Sequence, residues 1–486
     1  MTVQYTVSFR PDATLKAGGE GPVLEAGFGA INLSSLEKAL PGITGRIASG
    51  REDEDALGGW AMAEKGMKGL SLFHRWWRFL TDRSCIGFML HLDGTPAAGI
   101  NPLGVGFSFT PAPVAGDGPY VLSRFALVRR RGEHMLLECP KGWAEIVLTA
   151  PECAAMVWAL ARPRTPRALA EETGLSESNV RAFLNMLLCA KALCEIAEDG
   201  VADEEHQEAL AHWDVHDLYF HSRSRMGRHT NGWATTYRFK GRFSPIPQLK
   251  PPVSDTRIDL ARPDAAALDS EQAETPFFRV LENRISRRQY AAEPIDVRQL
   301  GEFLFRSFRV KEKYDDELGG VTFRPAPGGG ALHSLELYIL VNKCSGLSPG
   351  FYHYDPMGHR LEKISDPTPH TDRMLFMGRH MMLDRDDPQV EIVYASRFQR
   401  IQWKYESIAY AVILKDVGCL YQTMYLVAEA MGLAGVALGG GDADLFAAAS
   451  RLDYFEEGSV GAFMLGSRNP EADAKNHQKG PQHAQE

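Results

Sequence analysis

The stretch Arg324-Pro325-Ala326-Pro327-Gly328-Gly329-Gly330-Ala331-Leu332 lies just before Leu335-Glu336-Leu337-Tyr338-Ile339-Leu340-Val341. The second segment is mostly apolar and β-prone, so it reads as a strand. Three consecutive glycines ahead of it cost backbone entropy and offer no core contacts, so a close backbone approach to something must need them. No Gly-Lys-Ser/Thr follows, which argues against a phosphate cradle. Backbone groups along the edge of a flat ring such as an isoalloxazine suit the run better, with a flexible turn as the plainer alternative.

A second glycine run, Leu438-Gly439-Gly440-Gly441-Asp442, follows the short strand Gly435-Val436-Ala437. Neither run has the dinucleotide-binding spacing, so a Rossmann site is disfavoured. Upstream, Arg284-Ile285-Ser286-Arg287-Arg288 follows a predicted helix over Phe277 to Arg284. Arg284, Ser286 and Arg288 offer two guanidinium forks and a hydroxyl, the groups that suit bidentate phosphate binding. A solvated basic turn is the bland alternative.

Between these segments stands Trp403-Lys404-Tyr405-Glu406. Lysine and tyrosine ordinarily titrate near ~10.4 and ~10, so neither is a base at neutral pH unless tuned. A nearby cation lowers a tyrosine and desolvation lowers a lysine. Helix neighbours i and i+1 point apart, so joint action of Lys404 and Tyr405 requires a loop or a helix end. Taken together, the four segments suggest a flavin site with a base beside it, and hence an oxidoreductase.

At 486 residues the chain exceeds one ordinary core, so two or three domains are expected. Its 44% hydrophobic and 24% charged residues match a soluble globular protein. No apolar run approaches the ~20 residues of a membrane span. The opening Met1-Thr2-Val3-Gln4-Tyr5 lacks the basic-then-apolar order of a secretory signal. A net charge of −9 disfavours a general nucleic-acid binder. Seven cysteines without a Cys-x-x-Cys pair make a disulfide framework or a metal site improbable and point to a reducing cytoplasm.

The expected fold class is α+β, with four regions. Residues 1–245 form an N-terminal α/β region, 246–275 a Pro-rich linker, 276–468 a compact domain and 469–486 a disordered tail. The first region carries a predicted hairpin around Arg131-Gly132 and a strand from Glu145 to Thr149. Within about 120–200, two helices joined at Gly174, the second capped by Ser176 or Ser178, give a winged-helix-like pattern. Ten basic residues face ten acidic ones from Arg124 to Gly200, so the electrostatic footprint of a DNA binder is missing. A peptide-binding or architectural module is expected instead. In the compact domain, Leu414 to Met431 reads as a central buried helix, apolar on most sides. A hairpin around Met357-Gly358 and a buried strand from Ser459 to Gly466 are also predicted.

In order and spacing these segments resemble the nitroreductase-like flavoproteins, and within them the SagB-type (McbC-like) azoline dehydrogenases of thiazole- and oxazole-modified peptide pathways. The carriers are Arg284-x-Ser286-x-Arg288, Pro327 to Leu332 before Glu336-Leu337-Tyr338, and Gly350-Phe351-Tyr352-His353-Tyr354-Asp355-Pro356. Lys404-Tyr405, Gln422, Leu438-Gly439-Gly440 and Met464-Leu465-Gly466 complete them. The resemblance implies a central, mostly antiparallel sheet flanked by helices, FMN held between the subunits of a homodimer, and oxidation of a peptide thiazoline or oxazoline to the azole. It also implies a cyclodehydratase partner that makes the azoline. On the same resemblance Arg284, Ser286 and Arg288 hold the phosphate and ribityl chain. Pro327, Gly328, Gly329, Gly330, Ala331, Leu438, Gly439 and Gly440 line the ring. Gln422, Ser467 and Arg468 belong to the same cofactor set, and Lys404 and Tyr405 carry the base function. An NAD(P)H-dependent nitroreductase or flavin reductase, and a flavin-free peptide-binding scaffold, are the alternatives.

Overall fold

The computed structural model describes residues 4–26, 29–104, 106–111, 113–263 and 276–478. The chain divides into two compact units, Met1–Trp233 and Ala234–Glu486.

The first unit is built on a six-stranded antiparallel sheet. Its spatial order is Gln4–Phe9, Ile86–Leu92, Thr95–Pro102, Ala144–Leu148, His134–Glu138 and Leu127–Arg131. The last two strands are the hairpin expected around Arg131-Gly132, where Gly132 takes φ +61°. The helices Pro166–Thr173 and Glu177–Cys189 are joined through Gly174 at φ +71°. The Ser176 hydroxyl accepts from the Asn179 amide and caps the second helix.

The second unit holds a seven-stranded antiparallel sheet. In chain order its strands are β1 Arg257–Asp259, β2 Leu335–Val341, β3 Gly350–Asp355, β4 Arg360–Ser365, β5 Val390–Arg397, β6 Leu433–Leu438 and β7 Glu457–Ser467. In space they run β1-β4-β3-β2-β5-β7-β6. The helices of seven or more residues are α1 Phe277–Asn283, α2 Val297–Phe308, α3 Pro369–Met381, α4 Ala409–Ala430, α5 Ala443–Ser450 and α6 Pro470–Gln478.

Strand alternation sorts the core. Leu335, Leu337, Ile339 and Val341 of β2 pack with residues of α2 and α4, whereas Tyr338 and Leu340 pack with residues of α3 and α5. Covered on both faces, β2 is buried along its whole length, which is why it reads as a run and not as an alternation.

Four expectations change. Helix α4 buries Ala409, Ile413, Val417, Leu420, Met424 and Ala428, a single stripe at 3–4 residue spacing. Leu414, Gly418, Cys419 and Gln422 lie exposed on its other side. It therefore lies on one face of the sheet and not at the centre of a core. At 22 residues with mean hydropathy 1.2 it also reaches the length and composition of a membrane span, which no run was expected to do. Part of the Pro-rich stretch is structural. β1 extends the sheet, Glu362 accepts from the Val253 amide at 2.9 Å, and Lys250 pairs with Glu457. Residues 264–275, the Asp/Ala-rich part, lie outside the described residues. Finally, residues 470–478 are helical where a tail without structure was expected, because Asp473 (α6) is tied to Arg287 and Arg468. Residues 479–486 lie outside the described residues.

A buried charge ladder crosses the sheet. His353 (β3) lies between Glu336 (β2, 3.2 Å) and Glu362 (β4, 3.3 Å). Burial alone would discharge the imidazole, but hydrogen bonds to the two carboxylates outweigh it and raise the His353 pKa. A raised folded pKa gives stability that is full below the ordinary histidine value, about 6.5, and is lost as pH rises through the folded pKa. Thermal melts should show the second unit losing stability above neutrality. A His353→Gln variant, less stable at acidic pH, should lack that alkaline decline.

Candidate active site

Lys404 and Tyr405 sit outside any helix, just ahead of α4. Trp403 is buried and donates its indole N–H to the Phe243 carbonyl at 2.8 Å. The Lys404 carbonyl accepts from the Thr236 and Tyr237 amides, and Tyr405-Glu406 pairs with Ala234-Thr235. Ser407 then turns at φ +60°, and α4 begins at Ala409. The pair is thus fixed at a helix start, the placement that joint action requires.

The glycine run arrives against it. The Gly329 amide donates to both Asp416 carboxylate oxygens, at 2.9 and 3.1 Å. A Cβ on Gly329 would collide with Val412. Gly330 adopts φ +60°, and a Cβ there would collide with the Tyr405 hydroxyl and lie 3.2 Å from Lys404 Nζ. Both glycines are therefore demanded by the space around Lys404, Tyr405 and Asp416. Gly328 packs on His333, Ala331 turns at φ +56°, and Pro327 is exposed at the head of the loop.

Electrostatics assigns protonation states here. Burial raises the Tyr405 pKa, and Tyr237 and Asp416 push it the same way, so Tyr405 is a phenol at neutral pH. Burial lifts Asp416 to about 6, against the Gly329 hydrogen bond that favours its charge. His333 is driven down to about 3 by burial and by Arg324 and Arg400, so it is neutral. Asp416 escaped the sequence reading, although it is the only carboxylate in α4 before Glu429.

A second group gathers nine residues further along α4, roughly 13 Å by helical rise. Ser286 Oγ lies 2.9 Å from Tyr425 Oη, and the Arg284 guanidinium stacks on the Tyr425 ring at 4.9 Å. Arg288 Nε is buried without a hydrogen-bond partner. Among the described residues neither Arg284 nor Arg288 pairs with a carboxylate, so both keep donors for an anion. Such a donor set fits the phosphate end of FMN.

The other expected cofactor residues are placed differently. Arg468 is paired with Glu429 at 3.2 Å and Asp473 at 2.5 Å, and Ser467 bonds Gln389 and the Ala291 carbonyl. Gln422 is on the exposed side of α4. The Leu438 carbonyl accepts from the Tyr421 hydroxyl at 2.7 Å, while Gly439 and Gly440 line a cavity whose other walls include α3, α4, β5 and β7. Tyr421 and Tyr425, which tie α4 to β6 and to Ser286, gave no signal in sequence beyond two tyrosines one helical turn apart.

The described geometry can be set beside known proteins. Residues 281–467 match the nitroreductase family, and residues 120–230 match the cyanobactin oxidase ThcOx. MJ1384 of Methanocaldococcus jannaschii is 29% identical over 160 residues, covering 33% of this chain and 76% of its own. The trifolitoxin-processing protein TfxB of Rhizobium leguminosarum bv. trifolii is 26% identical over 145 residues, 29% of this chain and 39% of TfxB. The microcin B17-processing protein McbC of Escherichia coli is 32% identical over 119 residues, 24% of this chain and 43% of McbC. The chain thus spans less than half the length of these two processing proteins. The loop, Lys404-Tyr405 and the arginine segment all fall inside one matched region: the chain carries a nitroreductase-family domain over residues 281–467, preceded by a segment over residues 120–230 that matches the cyanobactin oxidase ThcOx.

Proposed function

We propose that this protein is an FMN-dependent dehydrogenase that oxidises thiazoline or oxazoline rings of a peptide, or of a peptide-derived product, to the azoles. The observation that carries the reading is the convergence of Lys404, Tyr405 and Asp416 on Gly329-Gly330 within an oxidoreductase-family domain. The ThcOx match and the processing proteins TfxB and McbC support the substrate class.

FMN, when bound, supplies the two-electron acceptor and takes the hydride. Arg284, Ser286 and Arg288 would hold its phosphate and ribityl chain, and the two glycine runs its ring. Removal of the ring Cα proton falls to Lys404 and Tyr405. Because burial keeps Tyr405 a phenol, it passes a proton and does not hold a standing negative charge. Asp416, ionised above about pH 6, supplies that charge behind the loop.

Partners belong to the same proposal. Phe277 and Phe278 are 60% and 78% exposed on α1, and Leu414 is exposed on α4. Apolar surface of this kind favours a homodimer. In the first unit a cavity of about 830 Å³ lined by Trp143, Trp213 and Met226 suits a peptide, and a cyclodehydratase would deliver the azoline. The reducing cytoplasm is its proposed location.

The deciding experiment is the visible spectrum of the purified protein, followed by assay of an azoline peptide by mass. Flavin bands and loss of two hydrogens per ring are expected. A colourless protein, or flavin bleached by NADPH without azoline turnover, removes the proposal. Turnover should rise with pH through about 6, and Asp416→Asn should flatten that limb. The sign for stability is opposite. A carboxyl raised in the fold contributes stability below its unfolded pKa and loses it as pH rises through about 6. Asparagine still accepts from Gly329, so at pH 7 the variant should be stabilised by on the order of 1–3 kcal/mol while turning over more slowly.

A further inference from the structure

The first unit holds a second cavity, of about 530 Å³, to which the proposed chemistry gives no role. Its walls bring together Arg10, Ile31, Arg83, Leu103, Met226 and Trp233. Both ends of the segment from Met226 to Trp233 take part, and that segment is fixed. The Arg228 guanidinium donates to the Pro140 carbonyl at 3.0 Å, and the Arg223 guanidinium to the Arg228 carbonyl at 2.7 Å. A Cβ on Gly104 would collide with the Gly227 carbonyl. The cavity is therefore part of the fold, and its volume falls within the ~300–1,000 Å³ of small-ligand sites.

Its charges do not balance. Arg10 is 3% exposed and already engaged: Asp12 accepts from its Nε and, at 3.0 Å, from its Nη2, and the Ser84 carbonyl accepts from its Nη1 at 3.2 Å. Arg10 and Asp12 therefore cancel. Arg83, exposed at the end of the helix Glu54–Asp82, lies over the Phe79 ring at 3.8 Å and pairs with no carboxylate among the described residues. The acid beside it, Asp82, faces Arg78 at 3.7 Å. His229 is held below its ordinary pKa by burial and is neutral. Among the described residues no aspartate or glutamate lines the cavity, so its wall carries one uncompensated positive charge.

We infer that this cavity binds an apolar ligand bearing one carboxylate, with the carboxylate on Arg83 and the apolar body against Leu103, Met226 and Trp233. A guanidinium fork matches a carboxylate through two parallel N–H···O bonds. The Phe79 ring fixes the plane of that fork in advance, and the Phe79 carbonyl takes only one long bond from Nη1, at 3.5 Å. One positive charge answers one negative charge, which favours a carboxylate over a phosphate dianion. Met226 is 73% and Trp233 39% exposed, so an apolar body laid on them removes apolar surface from water. A free organic acid and an acidic side chain of a peptide present the same chemistry, and only the second source rests on the proposed function.

The probe is 4-phenylbutyrate, with 4-phenylbutan-1-ol as the same body without the charge. Binding to the full chain is read from the Met226 methyl resonance. The acid should shift it and bind roughly ten-fold tighter than the alcohol. That preference should shrink as salt is raised. Arg83→Gln should bring the acid down to the level of the alcohol, with the melting temperature unchanged because no ion pair is lost, and Arg83→Lys should keep part of the preference. Equal binding of acid and alcohol, or an unchanged preference in Arg83→Gln, overturns the inference. So does displacement of the acid by inorganic phosphate at equal concentration. The tripeptide acetyl-Leu-Glu-Leu-amide and its Gln counterpart separate the two sources. Tighter binding of the Glu peptide than of phenylbutyrate upholds the site with a peptide in it, and the reverse order upholds it with a free acid. Azoline turnover enters none of these readings, so failure of the proposed reaction leaves the site standing.

Discussion

Arg287→Leu is expected to destabilise the second unit by about 3–5 kcal/mol, the usual loss when one partner of a buried ion pair is removed. Arg287 is 4% exposed and reaches Glu429 at 2.5 Å and Asp473 at 2.9 Å. Arg468 adds a second cation to the same two carboxylates. Without Arg287 two largely buried carboxylates share one half-exposed arginine. Urea denaturation should show a clear drop in midpoint, partly restored when Glu429→Gln is added. Arg284→Leu, which removes no ion pair, should cost far less. Equal losses for the two arginines would contradict the buried cluster.

The largest effect on activity is expected at the base pair. Lys404→Ala and Tyr405→Phe should each slow azole formation, together by roughly 10²–10⁴, the range for a positioned acid or base. Flavin should remain bound, because Arg284, Ser286 and Arg288 gather at the other end of α4. Full azole formation with both residues replaced and the flavin in place would end the assignment.

Local signals carried much of this fold. Gly132 and Gly174 occupy positive φ, and Ser176 caps its helix, so hairpin and helix pair were readable from turn chemistry. The glycine run was readable because its cost had no local return. What was hidden depends on distant partners. The arginine segment is the clearest case: Arg284 and Arg288 looked like the informative residues, yet the intervening Arg287 is held by Glu429 and Asp473, 142 and 186 residues away. Likewise, α4 is apolar on most sides, and composition could not show that one side stays uncovered. Asp416 has ordinary neighbours in sequence, and only burial makes it distinctive.

The strap from Lys250 to Asp259 bears on how the protein can be divided. A fragment starting at Pro276, the start of the compact domain in the sequence pattern, would strip β1 from β4 and leave Glu362 and Glu457 without Val253 and Lys250. The bared margin of β4 would then be an open template for pairing with another chain, a route to aggregation. A piece that keeps its own sheet margin covered therefore begins no later than Lys250, so the second unit carries its own edge protection in a segment whose composition is that of a spacer.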